Sequence, residues 1–344
     1  MPMRSSRVMA TAAAAASALV LAACGSSADD SGSGDDASAS GEFPVTIEHA
    51  FGETTIESEP ERVATVGWSN DEVPLALGIV PVGMAKATWG DDDGDGIMPW
   101  TEERLEELGG ETPALFDETE GIDFEAVADT QPDVILAAYS GLSQEEYDTL
   151  SKIAPVVAYP DTPWGTEWRE TIELNSKALG LEQEGKDLVA DLEQQIADGV
   201  ADRPELKGKT GVFAYLDPSD LSTISYYTTH DPRAAFLVDL GLETPALVEK
   251  GSASTDQFFL DQSAEEADAF DDTDILIGYG SEELVATLQE DPLLSQIPAV
   301  ANGAIVMLED NTPLAAAGNP SALSVPWALS DYLDLLSAAA AKVQ

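Results

Sequence analysis

A set of aromatic residues stands where loops should be: Trp68, Trp89, Trp100, Tyr139, Trp164, Tyr226, Tyr227 and Tyr279. Most follow short apolar runs that read as strands, and loops at strand ends are where ligand contacts gather. Flat rings give a broad apolar wall with an occasional polar tip, the chemistry for holding a bulky amphipathic ligand without altering it. Packing into a core is the competing use of any one of them. Trp68 is the strongest of the set, directly after the run Val63–Gly67; Trp100 and Trp164 each follow a proline at a loop-to-helix junction. Two cations, Lys86 and Arg233, lie near strand ends that would face a cleft, although each is also an ordinary surface residue type.

A second grouping is acidic. Asp91, Asp93, Asp95, Gly96 and Glu102 match the twelve-residue calcium-loop spacing, with the Ile97 carbonyl as the backbone ligand. Pro99 and the lack of a helix before Asp91 count against calcium, and a solvated loop capping the next helix is the alternative. The two histidines, His49 and His230, are far apart, too few imidazoles for bare zinc or manganese. His230 with Tyr226 and Tyr227 is the one grouping that could hold bare iron, and it sits beside a helix cap. No Gly-x-Ser-x-Gly elbow, phosphate loop or paired zinc motif occurs; Ser69 lacks the second glycine of an elbow and has no evident base. These residues predict capture, with no catalytic residues.

The elements that position them begin after a leader. Arg4 and Arg7 precede an apolar run from Val8 to Ala23, ending in Leu21-Ala22-Ala23-Cys24 and followed by Gly25-Ser26-Ser27. A basic start, a short apolar core and small residues at a cut site are a secretory signal, too short for a membrane span. The run into Cys24 resembles a lipobox, which implies a lipidated mature N-terminus; a plain signal peptide is the alternative. Residues 1–23 are thus expected to be signal, and 24–42 anchor and flexible linker. Residues 25–42 contain no aromatic or large aliphatic residue and cannot bury anything. About 320 residues remain, enough for two lobes. Cys24 is the only cysteine, so no intrachain disulfide forms. The net charge of −50 repels nucleic acid and strongly anionic ligands, and tolerates neutral or cationic ones.

From Phe43 the pattern predicts a hairpin (Val45–His49 and Thr54–Ile56), then strands at Val63–Gly67, Val80–Met84, Asp133–Ala137 and Val156–Ala158. Helices are expected at Asn70–Leu77, Trp100–Leu108, Asp123–Asp129 and Ser143–Ala154. A helical stretch from Glu167 to Asp202, broken or bent at Gly180 and Gly185, separates this half from a second. That half has strands at Gly211–Leu216, Asp274–Gly278 and Ala304–Leu308, with helices at Asp231–Leu240, Glu282–Gln289 and Val325–Ala341. The alternation predicts an α/β fold with mainly parallel sheet, two similar halves, and a cleft between them.

Pro60–Val66 with Asp71–Gly83 resembles the opening strand–helix–strand of the periplasmic binding proteins for iron–siderophores and cobalamin. Phe124–Ala128 with Gln131–Leu136, Ile153–Val157, Asp291–Leu293 and Ile297–Gly303 resemble further parts of that family. The resemblance implies two Rossmann-like lobes, 43–180 and 210–344, joined by a rigid interlobe helix at 181–209. It implies a lipid-anchored receptor on the outer face of the cytoplasmic membrane, monomeric, which feeds an ABC permease. It also implies one glutamate on each lobe for docking to permease arginines, here Glu72 and Glu243. Two cleft cations on so acidic a chain favour a neutral ferric hydroxamate over an anionic catecholate. A haem or cobalamin receptor remains an alternative within the family, with Tyr226, Tyr227 and His230 to test for haem. Secreted α/β hydrolase and surface adhesion module are alternatives of other classes.

Overall fold

The computed structural model describes residues 41–343; the signal, Cys24 and the linker through residue 40 lie outside the described residues. Strands β1 (Val45–His49) and β2 (Gly52–Ile56) form the expected antiparallel hairpin. A first βα series runs β3 (Val63–Thr65), α1 (Glu72–Ala76), β4 (Gly83–Ala85), α2 (Pro99–Leu108) and β5 (Ala114–Phe116). It continues with α3 (Phe124–Asp129), β6 (Val134–Ala137), α4 (Gln144–Leu150) and β7 (Val156–Ala158). Helices α5 (Trp168–Ala178) and α6 (Glu182–Ala201) follow. The second series is β8 (Gly211–Asp217), β9 (Asp220–Tyr227), α7 (Pro232–Asp239), α8 (Ala246–Ser252), β10 (Phe259–Ser263) and β11 (Ile275–Tyr279). It ends with α9 (Glu282–Glu290), α10 (Pro298–Asn302), β12 (Ile305–Leu308), α11 (Pro313–Ala317) and α12 (Ser324–Ala340).

The first sheet has the order β5-β4-β3-β6-β7 and is wholly parallel. β6 is Val-Ile-Leu-Ala and buried throughout, as a strand covered by helices on both faces must be. The second sheet has the order β10-β9-β8-β11-β12 and is mixed, because β9 runs antiparallel to both β8 and β10. The expectation of mainly parallel sheet therefore holds, with β9 as the antiparallel exception in the second half. A tight turn at Asp217–Asp220, closed by Ser219 N–H donating to Asp217 Oδ1 (2.8 Å), folds β9 straight back on β8. In each sheet the chain reverses its direction of winding once, between β3 and β6 and between β8 and β11. Such switch points open a crevice at the carboxyl ends of the strands.

Several boundaries differ from expectation. The strand expected at Val80–Met84 begins only at Gly83, since Pro81 lacks a ladder donor. The helix expected at Ser143–Ala154 ends at Leu150; Ser143 is its cap, in a reciprocal box with Glu146. The long helical stretch breaks at Gly180 (φ +73°) and not at Gly185. Gly185 lies inside α6, where a Cβ would come within 2.0 Å of Ser176 Oγ on α5. It lets the two helices press together.

α5 packs on α1, β1, β6 and β7, and α6 packs on α5 and α12. Val73 of α1 and Trp168 and Ile172 of α5 share one apolar core with Phe213, Phe236, Leu240 and Ile277 of the second half. Arg169 clamps Asp239 of α7 with two hydrogen bonds, 2.8 and 3.0 Å. The two halves are thus joined by core as well as by chain.

Gly185→Ala should force α5 and α6 apart without changing helix content. We expect a loss of about 1–3 kcal/mol, read as a lower melting temperature at unchanged far-ultraviolet dichroism. An unchanged melt would mean that Ser176 can turn away freely.

Candidate ligand-binding cleft

The switch points put ring-bearing residues at the mouth of both sheets. Trp68 follows β3, Tyr139 follows β6, and Tyr279 ends β11. Trp89, in the loop after β4, crosses to the other half: its Nε1–H donates to Asp310 Oδ1 at 3.2 Å. Its ring meets Tyr279 edge-on at 5.3 Å and lies 6.4 Å from Trp68. Tyr139 and Trp164 form a second edge-on pair at 5.5 Å. Trp164 is held at φ +60°, with its N–H on the Ser140 carbonyl (3.0 Å), a strained conformation kept at a site the surroundings over-determine. The indole lies so close to Gly141 that a Cβ there would be 2.3 Å from Nε1.

Together with Tyr227, Arg233, Phe258 and Asn319, these rings enclose a cleft of ≈360 Å³ between the halves. Among the described residues, Arg233 is its one charged lining residue. Its guanidinium lies 4.0 Å over the Tyr227 ring and pairs with Asp231 (Nε to Oδ1 2.8 Å, Nη2 to Oδ2 2.7 Å). The Arg233 side chain is 17% exposed and that of Asp231 0%, so the charge is neutralised within the protein. Burial pushes the Tyr279 hydroxyl up to about 12 and that of Tyr139 higher still. Both stay neutral and polar at physiological pH. Tyr139 Oη accepts a hydrogen bond from Asn319 Nδ2 (2.9 Å), again across the halves. The cleft is therefore aromatic, shaped and close to neutral.

A side cavity of ≈150 Å³ shares Trp68 and Trp164 with the cleft. Lys86, Asp71 and Glu118 line it. Burial pushes Glu118 up to about 7; one of its oxygens accepts from Gly67 N–H (3.1 Å) and the other has no partner among the described residues. Burial, with the adjacent Glu72, also pushes Asp71 up to about 7.

Of the sequence-derived contacts, Trp68, Trp89, Tyr139, Trp164, Tyr227, Arg233 and Tyr279 converge on the cleft. Three do not. Trp100 is 4% exposed, donates to Glu72 Oε1 (2.8 Å) and packs on Trp327; its loop-to-helix position is covered by α12. Tyr226 alternates with Tyr227 along β9 and so packs on the other face, edge-on to Phe270. Lys86 belongs to the side cavity.

Glu72, expected as an exposed docking charge, is 2% exposed and accepts from Leu323 N (2.8 Å) and Ser324 N (3.3 Å) besides Trp100. Glu243 is exposed, its backbone paired with Lys209 and Gly211 beside the start of β8. Asp91, Asp93 and Asp95 do converge, with oxygens within 4.8 Å of one another, but Glu102 stays outside that group. Asp91 and Asp95 accept from the loop's own amides, including Gly96 N and Ile97 N. His230 turns to the Ser252 carbonyl (3.1 Å). Sequence reasoning missed Asn319, which carries no local signal. It also missed Phe258, whose only signal is the pair Phe258-Phe259 ahead of an unpredicted strand.

Comparison with known proteins agrees with this geometry. The family model described as "Periplasmic binding protein" matches residues 63–312. The chain belongs to the periplasmic binding protein family. The crystal structure of Streptococcus pneumoniae TIGR4 PiaA in complex with ferrichrome superposes with a TM-score of 0.84 at 46% identity. The match covers 87% of this chain and 100% of that one. The "Probable siderophore-binding lipoprotein YfiY" of Bacillus subtilis (strain 168) is 29% identical over 239 residues, 67% of each protein. The "Fe(3+) dicitrate-binding periplasmic protein FecB" of Escherichia coli (strain K12) is 27% identical over 282 residues, 78% of this chain and 84% of FecB.

This binding protein should grow more stable on mild acidification. Asp71 and Glu118 titrate near 7 when folded, against ordinary values of 3.8 and 4.5. Between those limits the folded state holds protons that the unfolded chain has released, so stability falls as pH rises from about 4 to about 7. The melting temperature at pH 5 should exceed that at pH 8, and Asp71→Asn with Glu118→Gln should flatten the difference. An undiminished slope in the double variant would assign the effect to the general surface charge.

Proposed function

We propose that this binding protein captures a neutral ferric hydroxamate siderophore in the aromatic cleft and delivers it, unaltered, to an ABC permease. The observation that carries this reading is the pairing of Arg233 with Asp231 inside a wall of rings. Ferric iron with three hydroxamates is neutral, whereas a ferric tris-catecholate carries three negative charges and would need several free cations. Rings hold the apolar rim of the chelate, and the Tyr and Arg tips reach its oxygens. The ferrichrome held by PiaA belongs to the same chemical class. The reading extends to the tether: lipidated Cys24, a linker to residue 42, and a monomeric receptor at the outer face of the cytoplasmic membrane. Lobes at 43–180 and 210–344, linked through 181–209, would present the ligand. Exposed Glu243 is the docking charge that fits a permease arginine, with Glu72 excluded by its burial.

Three of the six tryptophans line the cleft, so intrinsic fluorescence reads occupancy directly. Titration of the chain from Gly25 with a ferric trihydroxamate should give saturable quenching, and a ferric tris-catecholate should bind at least about tenfold more weakly. Trp164→Ala and Arg233→Ala should each weaken the hydroxamate by about tenfold or more. Preference for the catecholate, or for haem or cobalamin, would refute the assignment.

A further inference from the structure

The sheet face that carries Tyr227 continues outward from the cleft. Cross-strand register sets Tyr215 opposite Ser225 and Ser225 opposite Asp261, while Phe259 pairs with Tyr227. Alternate positions share a face, so these side chains stand together on one surface of β8, β9 and β10. With Phe258 they line a recess of ≈400 Å³ that shares Tyr227 and Phe258 with the cleft. Tyr215 is 50% and Phe259 42% exposed, among the most exposed large apolar side chains described. Among the described residues the recess holds one charged group, Asp261. Its Oδ1 accepts from Ser225 Oγ (2.6 Å), and no lysine or arginine pairs with it among the described residues.

Rings beside a single unpaired carboxylate suit a particular chemistry. A methylene stem gains from lying on the rings, and an ammonium head is attracted both to ring faces and to the carboxylate. An anionic or strongly hydrated neutral group gains neither. The strong negative charge of the chain acts in the same direction. We infer that this recess is a second subsite, which takes a cationic alkylammonium arm carried by the chelate seated in the cleft. Tyr227 and Phe258 line both sites, so the recess adjoins the cleft within reach of an arm of a chelate seated there. This inference rests on the hydroxamate reading of the cleft and adds to it a basis for choosing among chelates of equal core charge.

The test compares two linear ferric trihydroxamates that are identical except at a pendant primary amine, free in one and N-acetylated in the other. The free amine should bind about fivefold or more tightly, with the preference shrinking as salt is raised. Asp261→Asn should abolish the preference while leaving the acetylated ligand's affinity within about twofold, which also verifies that the variant is folded. Tyr215→Ala should reduce it, and Asp220→Asn, an exposed acid outside the recess, should leave it intact. Equal binding of the two ligands by the native chain, or a preference that survives Asp261→Asn, would overturn the subsite and leave the cleft assignment standing. Binding of neither ligand would overturn both.

Discussion

The buried carboxylate of Glu72 ties the molecule together. It sits on α1 of the first half and accepts hydrogen bonds from the Trp100 indole and from the backbone of Leu323 and Ser324, where α12 begins. A buried acid without such partners is heavily penalised, so the three donors and the position at a helix start are conditions of its being there at all. The arrangement fixes the C-terminal helix against the first βα unit. Met98, Trp100, Ala316, Ala317 and Ala328 then close a small apolar cluster across the same junction.

With that junction fixed, other cross-links fall into place around the cleft. Trp89 reaches Asp310, Gly90 N–H reaches Asn311 Oδ1 (2.8 Å), and Asn319 reaches Tyr139. Arg169 holds Asp239 on the far side. The rings lining the cleft are therefore positioned by bonds between the halves as well as within them. A preformed wall leaves less ordering to be done on binding, which favours affinity for a rigid, bulky ligand.

Charge is organised at two scales. The chain carries a net −50, yet the cleft's own cation is matched by one buried carboxylate. The outer field discourages anions from approaching, and the neutral interior gives no reward to a highly charged ligand that arrives. Selectivity then falls to shape, to aromatic contact and to single polar tips.

The sequence alone determined most of the alternation of strands and helices, β5, β9 and β10 excepted, because apolar runs and caps act through near neighbours. The switch-point loops followed from it, and with them Trp68, Tyr139 and Tyr279 at strand ends. Tertiary structure decided the rest. Whether Tyr226 or Tyr227 faces the ligand depends on the pleat of β9, and β9 exists as an antiparallel strand only because β8 and β10 pair with it. Trp100 looked like a cleft residue and Glu72 like a surface one until α12, more than two hundred residues away, covered them. Phe258 and Asn319 reach the cleft through pairings with no local pattern. Periodicity records which side of an element is buried, but burial against a distant element is set by packing, which a linear sequence does not display.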